Sequence, residues 1–195
     1  MGYCDDKDNV LEYIAMAEGY DGAILIQALK RHLPGRSNVL ELGIGPGNDL
    51  DLLSQDSSAT GSDSSSLFLD LYRKSHPDAD LLLLDATSID TDRNFDCICS
   101  NKVLHHLSES ELGASFARQA AVLNRRGLLM HSFWYGDQEA EEHHGLMFHY
   151  YTETVLSRLA GDSYTLVEVA RYKETEEGDS IYLLMRKVEG STTDR

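Results

Sequence analysis

Basic residues are scarce in this chain: 17 lysines and arginines stand against 33 aspartates and glutamates, a formal charge of −16. That balance argues against sequence-independent attraction to nucleic acid or anionic membrane, since both need cation-rich faces. Lys30-Arg31-His32 and Arg125-Arg126 are too short to make such a face and read as helix C-terminal charge. Cysteine is nearly absent too. The three present, Cys4, Cys97 and Cys99, cannot all pair, and none has metal spacing with histidine. Cys97 and Cys99 share one face of an expected strand as small buried hydrophobes, which suits a reducing compartment. Long apolar runs are missing: stretches such as Leu81–Leu84 are far too short to span a bilayer. The first eight residues are acidic without an apolar core, so no signal peptide is expected. These absences predict a soluble, cytoplasmic protein with no metal and no nucleic-acid or membrane partner, and they leave room for a homodimer. A length of 195 residues suits one domain with ample core.

What the chain does have is concentrated around Asn38–Leu53. Val39, Leu40 and Leu42 form a short apolar run that reads as a buried strand. Gly43, Gly45 and Gly47 follow, alternating with Ile44 and Pro46; three glycines in five residues suggest a tight loop crossing a ligand. Gly47 or Asn48 then opens a helix with Leu50, Leu52 and Leu53 on its apolar face. A dinucleotide fingerprint beginning at Gly43 would need glycine or alanine at position 48, which is Asn48. A phosphate loop would need Gly-Lys-Ser/Thr, and no lysine lies between Lys30 and Lys74. The residues match E-x-G-x-G-x-G, from Glu41 to Gly47. That pattern resembles the first motif of the class I S-adenosylmethionine-dependent methyltransferases.

The remaining segments fit an α/β order. Helical spacing over Asn9–Leu33, broken at Gly19 to Gly22, predicts two helices ended by Pro34-Gly35. Ala59–Asp63 is a weak second strand. A helix over Ser64–His76 follows, with Leu67, Phe68 and Leu71 buried and Pro77 as its stop. Leu81–Ala86 reads as a third strand, apolar on both faces and therefore central. Phe95–Asn101 is the fourth, and Ser108-x-x-Glu111 is a capping box opening a helix to Asn124. Gly127–Trp134 is the fifth strand; Gly136–Tyr151 shows no regular pattern. A helix from Thr152 to Ala160 precedes paired strands Tyr164–Tyr172 and Ile181–Val188. The expected fold is an α/β three-layer sandwich: a Rossmann-like, seven-stranded, mostly parallel sheet with a C-terminal antiparallel hairpin. Residues 1–35 would form lid helices, 36–188 the cofactor-binding domain and 189–195 a tail.

Asp63 lies 18 residues past Gly45, near where a nucleotide fold sets an acid on ribose hydroxyls, although it also suits a helix cap. Glu41, Asp63 and Asp85 all fall at carboxyl ends of expected parallel strands, the edge where open α/β sheets bind ligands. Phe95-Asp-Cys-Ile-Cys-Ser-Asn101 with Lys102-Val-Leu-His-His106 resembles the same family's fourth motif, in the form F-D-x-x-x-S-N-x-x-L-H-H common among small-molecule enzymes. The resemblance implies S-adenosylmethionine as cofactor, held by Glu41, Gly43, Gly45 and Gly47, by Asp63 with Ser64, by Asp85 and Ala86 at the adenine, and by backbone near Asn101. It implies methyl transfer to a small-molecule acceptor by in-line displacement. The family's Asn/Asp-Pro-Pro-aromatic and Pro-Cys signatures of base methylation are lacking.

His105 and His106, just past the fourth strand, are the candidate catalytic bases. His131, His143, His144 and His149 are further candidates. Tyr13 and Tyr20 suit either a lid or core packing, and Tyr135, Tyr150 and Tyr151 suit either an acceptor wall or packing. Two alternatives stand beside the enzyme reading: a non-catalytic nucleoside-binding module working through a protein partner, and a related aminopropyl transferase, whose extra acidic motif is not apparent.

Overall fold

The computed structural model describes residues 3–20 and 22–190. Two short helices come first, α1 (Lys7–Met16) and α2 (Ala23–Lys30), the first capped by Asp6, whose carboxylate accepts from the Asp8 and Asn9 amides at 2.9 and 3.1 Å. Strand β1 (Asn38–Leu42) then leads into α3 (Asn48–Leu53), β2 (Ser58–Asp63) into α4 (Ser66–Ser75), and β3 (Leu81–Leu83) into β4 (Phe95–Asn101). Helix α5 (Glu109–Val122) runs directly into β5 (Leu123–Tyr135). Three short strands, β6 (Glu141–His143), β7 (Leu146–Phe148) and β8 (Tyr150–Tyr151), precede α6 (Glu153–Ala160) and the closing pair β9 (Tyr164–Tyr172) and β10 (Ser180–Lys187).

The main sheet has the order β3-β2-β1-β4-β5-β10-β9, with β8 also paired to β5. Strands β1 to β5 run parallel, and β10 is antiparallel to both β5 and β9. This is the mostly parallel sheet with an antiparallel end that the sequence predicts, with β8 as an added two-residue strand. Successive strand side chains alternate between the two faces. Leu40, Leu42, Ile98, Leu129 and Phe133 therefore meet α5 and α6 on one side, whereas Val39, Cys97, Cys99, Leu128 and Met130 meet α2 on the other. Each leucine-sized side chain so buried contributes about 1.5–3 kcal/mol. Ile44, Leu50, Leu69 and Tyr72 form a smaller cluster beneath the glycine loop. Among the described residues no helix is long and apolar enough to cross a membrane.

The structure corrects several expectations. Strand β3 is not central: it is the edge strand, three residues long, and Leu83 is 62% exposed. The buried face of α4 is Phe68, Leu69 and Tyr72, with Leu67 and Leu71 only half-buried. Strand β5 starts at Leu123 and not at Gly127. Leu123 pairs with Phe95 and Leu128 with Cys97, so the residues between them bulge from the ladder. The stretch Gly136–Tyr151 is not irregular throughout; β6 and β7 make a hairpin and β8 joins the sheet. The expected tail continues past Gly190 into residues 191–195, which lie outside the described residues, as do 1, 2 and 21 of the expected lid segment.

A buried polar chain ties the layers together. His131 is fully enclosed; its Nδ1 meets Ser100 Oγ at 2.8 Å and its Nε2 meets Gln119 Oε1 at 2.8 Å. Since the amide oxygen only accepts, Nε2 carries the proton and Nδ1 accepts from Ser100. Burial pushes the imidazole down to about 3, so it stays neutral. The chain continues through Gln119 Nε2 donating to Ser115 Oγ (3.0 Å) and Ser115 Oγ donating to the Ala86 carbonyl (2.6 Å). His131 is thus a structural residue with no nitrogen left for catalysis.

Candidate functional site

Neighbouring strands β1 and β4 send their chains to opposite sides of the sheet, and a crevice opens at their carboxyl ends. The loop Gly43–Gly47 crosses it. Gly43 has φ +69°, and a Cβ there would lie 2.6 Å from the Val103 side chain, so only glycine lets this loop close against the fourth-motif segment. The loop is tied to β2: the Ile44 amide donates to the Ser62 carbonyl (2.9 Å) and the Gly45 amide to Asp63 Oδ2 (3.1 Å). The other Asp63 oxygen accepts from the Ser65 amide at 2.9 Å. Burial raises the Asp63 carboxyl, and these backbone donors oppose the rise. Its remaining lone pairs can accept from a diol.

Two connected cavities flank the glycine loop, with Tyr13, Gly43, Gly45, Val103 and His106 common to both walls. The smaller, about 210 Å³, is lined by Asp63, Ser64, Asp85 and Ala86 together with Phe68 and Leu84. The larger, about 420 Å³, is lined by Glu41, Asp49 and Asn101 on one side and by His105, Trp134, Phe148 and Glu174 on the other. Of the residues expected to hold the cofactor, only Gly47 lines neither. It caps α3 with φ +93°, its amide donating to the Ile44 carbonyl at 2.8 Å, and shapes the loop from behind. Asp85 faces the small cavity while its Oδ1 accepts from the Thr87 and Ser88 amides (2.8 and 3.1 Å), a turn role and a wall role together.

Glu41 is 3% exposed and its Oε2 has no partner. Burial, and then the charges of Asp49, Asp63 and Asp51, hold its carboxyl well above the ordinary range. An orphaned buried acid in a cavity wall calls for a donor or a cation from a ligand. Asp49 beside it accepts from the Gly22 amide (2.5 Å) and from Asn101 Nδ2 (3.0 Å), so it joins the helix pair at the N-terminus to the end of β4. Asn101 Oδ1 accepts from Ser132 Oγ at 2.7 Å, and Ser132 Oγ accepts from the Lys102 amide at 3.0 Å.

His105 is 2% exposed, and neither ring nitrogen has a partner. Burial, then the neighbouring His106, Lys102 and His149, depress its pKa well below the ordinary imidazole value, so the ring is neutral. His106 differs: its Nδ1 bonds the Met147 carbonyl at 2.8 Å, so that nitrogen donates. Burial lowers it as well, opposed by the Met147 carbonyl. His143 and His144 line the large cavity, whereas the His149 ring stacks on Tyr151. Among the described residues no group of three or more His, Cys, Asp or Glu is placed to hold a metal ion.

Of the two roles open to the tyrosines after β5, Tyr151 takes packing. Tyr151 is core, its hydroxyl donating to the Leu107 carbonyl at 2.6 Å, and Tyr135 pairs with Arg171. Trp134 and Phe148 take the wall positions, and Tyr13 and Tyr20 line the cavity from above. Sequence reasoning also missed Lys102 and Glu174. Only the short spacing of Lys102 from Asn101 hinted at the former, and nothing in the turn after β9 marked the latter.

Residues 39–127 match the family model described as a methyltransferase domain, a segment that includes the glycine loop, the Asp63 and Asp85 positions and the fourth motif. No curated protein matches the sequence. Among solved structures, the chain is similar to the 1,6-didemethyltoxoflavin-N1-methyltransferase of Burkholderia thailandensis, determined with 1,6-didemethyltoxoflavin and S-adenosylhomocysteine. The identity is 21% and the TM-score 0.75, over 90% of this chain and 81% of that one. It is similar to the N-methyltransferase NodS of Bradyrhizobium japonicum with S-adenosylhomocysteine (16%, TM-score 0.74, 96% and 100%). It is also similar to the glycopeptide N-methyltransferase MtfA with the same compound (14%, TM-score 0.72, 94% and 99%). At such identities the likeness establishes the fold. The matched segment and its motifs support an S-adenosylmethionine-dependent methyltransferase with S-adenosylmethionine as its cofactor. The residues present fit that group: the unpartnered Glu41 oxygen and the close-packed glycine loop lie at one end, and Asp63 lies in the adjoining cavity.

Proposed function

We propose that this enzyme methylates a small-molecule acceptor held in the large cavity, with His105 taking the proton the acceptor loses. The single observation that carries this reading is His105 itself, buried, neutral and unpartnered at both nitrogens in a cavity shared with Glu41 and Asn101. Bound there, the cofactor supplies an electrophilic methyl on a cationic sulfur. In this reading Asp63 and Ser64 hold the ribose, Asp85 and the Ala86 amide meet the adenine, and Glu41 with backbone near Asn101 holds the amino-acid end. The acidic surroundings of Glu41, Asp49 and Asp63 suit that positive charge. Helices α1 and α2, with Tyr13 and Tyr20, act as a lid that excludes water from the reaction. The N-methyltransferases among the structural neighbours favour a nitrogen acceptor. Loss of an N–H proton from such an acceptor is the step that calls for a base.

Incubation with methyl-labelled cofactor and a small-metabolite extract is expected to move label into at least one low-molecular-weight product. Label remaining wholly in the cofactor, with the nucleoside still bound, would favour a binding module that works through a protein partner.

A further inference from the structure

The charge on the walls of the large cavity restricts what the acceptor can be. Lys102 is the cation that lines this end, but two of its three N–H groups are already used and its charge lies against a ring face. Nζ donates to the Phe133 carbonyl (3.1 Å) and to Ser180 Oγ (2.6 Å), and it lies 3.5 Å from the centre of the Trp134 ring. An incoming anion would have a single N–H left to meet on it, beside the Trp134 ring. Glu174, half-buried in the turn between β9 and β10, lines the same space. Burial raises its carboxyl, and the Lys102 charge opposes the rise. His105 adds two unpartnered ring nitrogens, and Trp134 and Phe148 add flat apolar faces.

We infer that the acceptor end is built for a planar, N–H-bearing nitrogen compound, neutral or cationic, whose ring lies against Trp134 and whose amine or ring N–H is oriented by Glu174. A carboxylate acceptor would meet the Glu174 charge with only the neutral His105 N–H and one Lys102 N–H to offset it. This rests on reading the cavity as the methyl-transfer site. Glu174 is a positioning residue here, and it fixes which nitrogen faces His105.

Trp134 is the chain's single tryptophan, so its fluorescence reports on this wall directly. Protein saturated with S-adenosylhomocysteine is titrated with 2-aminobenzimidazole and, separately, with benzimidazole-2-carboxylate, following Trp134 fluorescence and heat. The amine is expected to bind at least tenfold more tightly, Glu174→Gln to cut that preference at least tenfold, and Glu174→Asp to keep most of it. Equal binding of the two probes, preference for the carboxylate, no amine binding at millimolar concentration, or a preference that Glu174→Gln leaves intact would each overturn the inference. S-adenosylhomocysteine titrated first separates the two readings: if it does not bind, the cofactor assignment fails and this inference with it.

Discussion

His105→Phe is expected to lower kcat by about 10²–10⁴-fold, the usual contribution of a positioned general base. Phenylalanine keeps a flat ring between His106 and Phe148, whose centroids lie 4.0 and 5.0 Å from the His105 ring, so the wall survives and only the nitrogens are lost. The pH profile separates a base from a wall. A base must be unprotonated, and burial holds the His105 pKa well below 6.5. Wild-type activity should therefore persist through pH 6.5 and fall only at more acid pH, as His105 takes up a proton. The variant should lack that acid limb. His106→Phe should cost less than tenfold, because its Nδ1–H is already committed to the Met147 carbonyl. A larger loss at His106 than at His105 would move the base one residue along.

Gly47→Ala should be the most damaging single-methyl change in the cofactor loop. A Cβ at Gly47 would lie 2.2 Å from the Tyr72 ring, and the residue has φ +93°. The left-handed backbone costs a non-glycine residue roughly 1–2 kcal/mol. Overpacking adds about 1–3 kcal/mol, since Tyr72 is buried and its hydroxyl donates to Asp51 at 2.5 Å. A combined loss of about 2–5 kcal/mol lowers Tm by roughly 5–15 °C in a chain of this size. Gly145→Ala is the internal control: φ is +76° but nothing lies within 4 Å of the new methyl, so only the backbone part should remain. Thermal denaturation of both variants checks this; equal shifts would show that the Tyr72 contact does not matter.

The parts of this molecule readable from sequence were those where local chemistry and tertiary role coincide. Val39, Leu40 and Leu42 are a strand because they are apolar and because β1 is buried on both faces. The run from Glu41 to Gly47 announces a ligand loop because only glycines permit that turn against Val103. The alternation of Cys97 and Cys99 against Ile98 gave the two faces of β4. Leu81–Leu84 misled because an apolar run says nothing about how many neighbours a strand has, and β3 has one. The hairpin of β6 and β7 escaped notice because three-residue strands owe their form to pairing and not to pattern. The far wall of the large cavity was illegible for a different reason. Lys102, Trp134 and Glu174 come from three distant segments, and only the folded sheet brings them to one cavity.

Calorimetric titration of the wild type and of Asp63→Ala with S-adenosylhomocysteine tests the central claim most directly, since it asks whether the rim of β1 and β2 holds the nucleoside. Saturable binding by the wild type is expected, weakened in the variant by about 1.5–3 kcal/mol for one lost charge-assisted pair, roughly 10–150-fold in Kd. No wild-type binding at millimolar ligand, or equal affinity in the two proteins, would contradict the account.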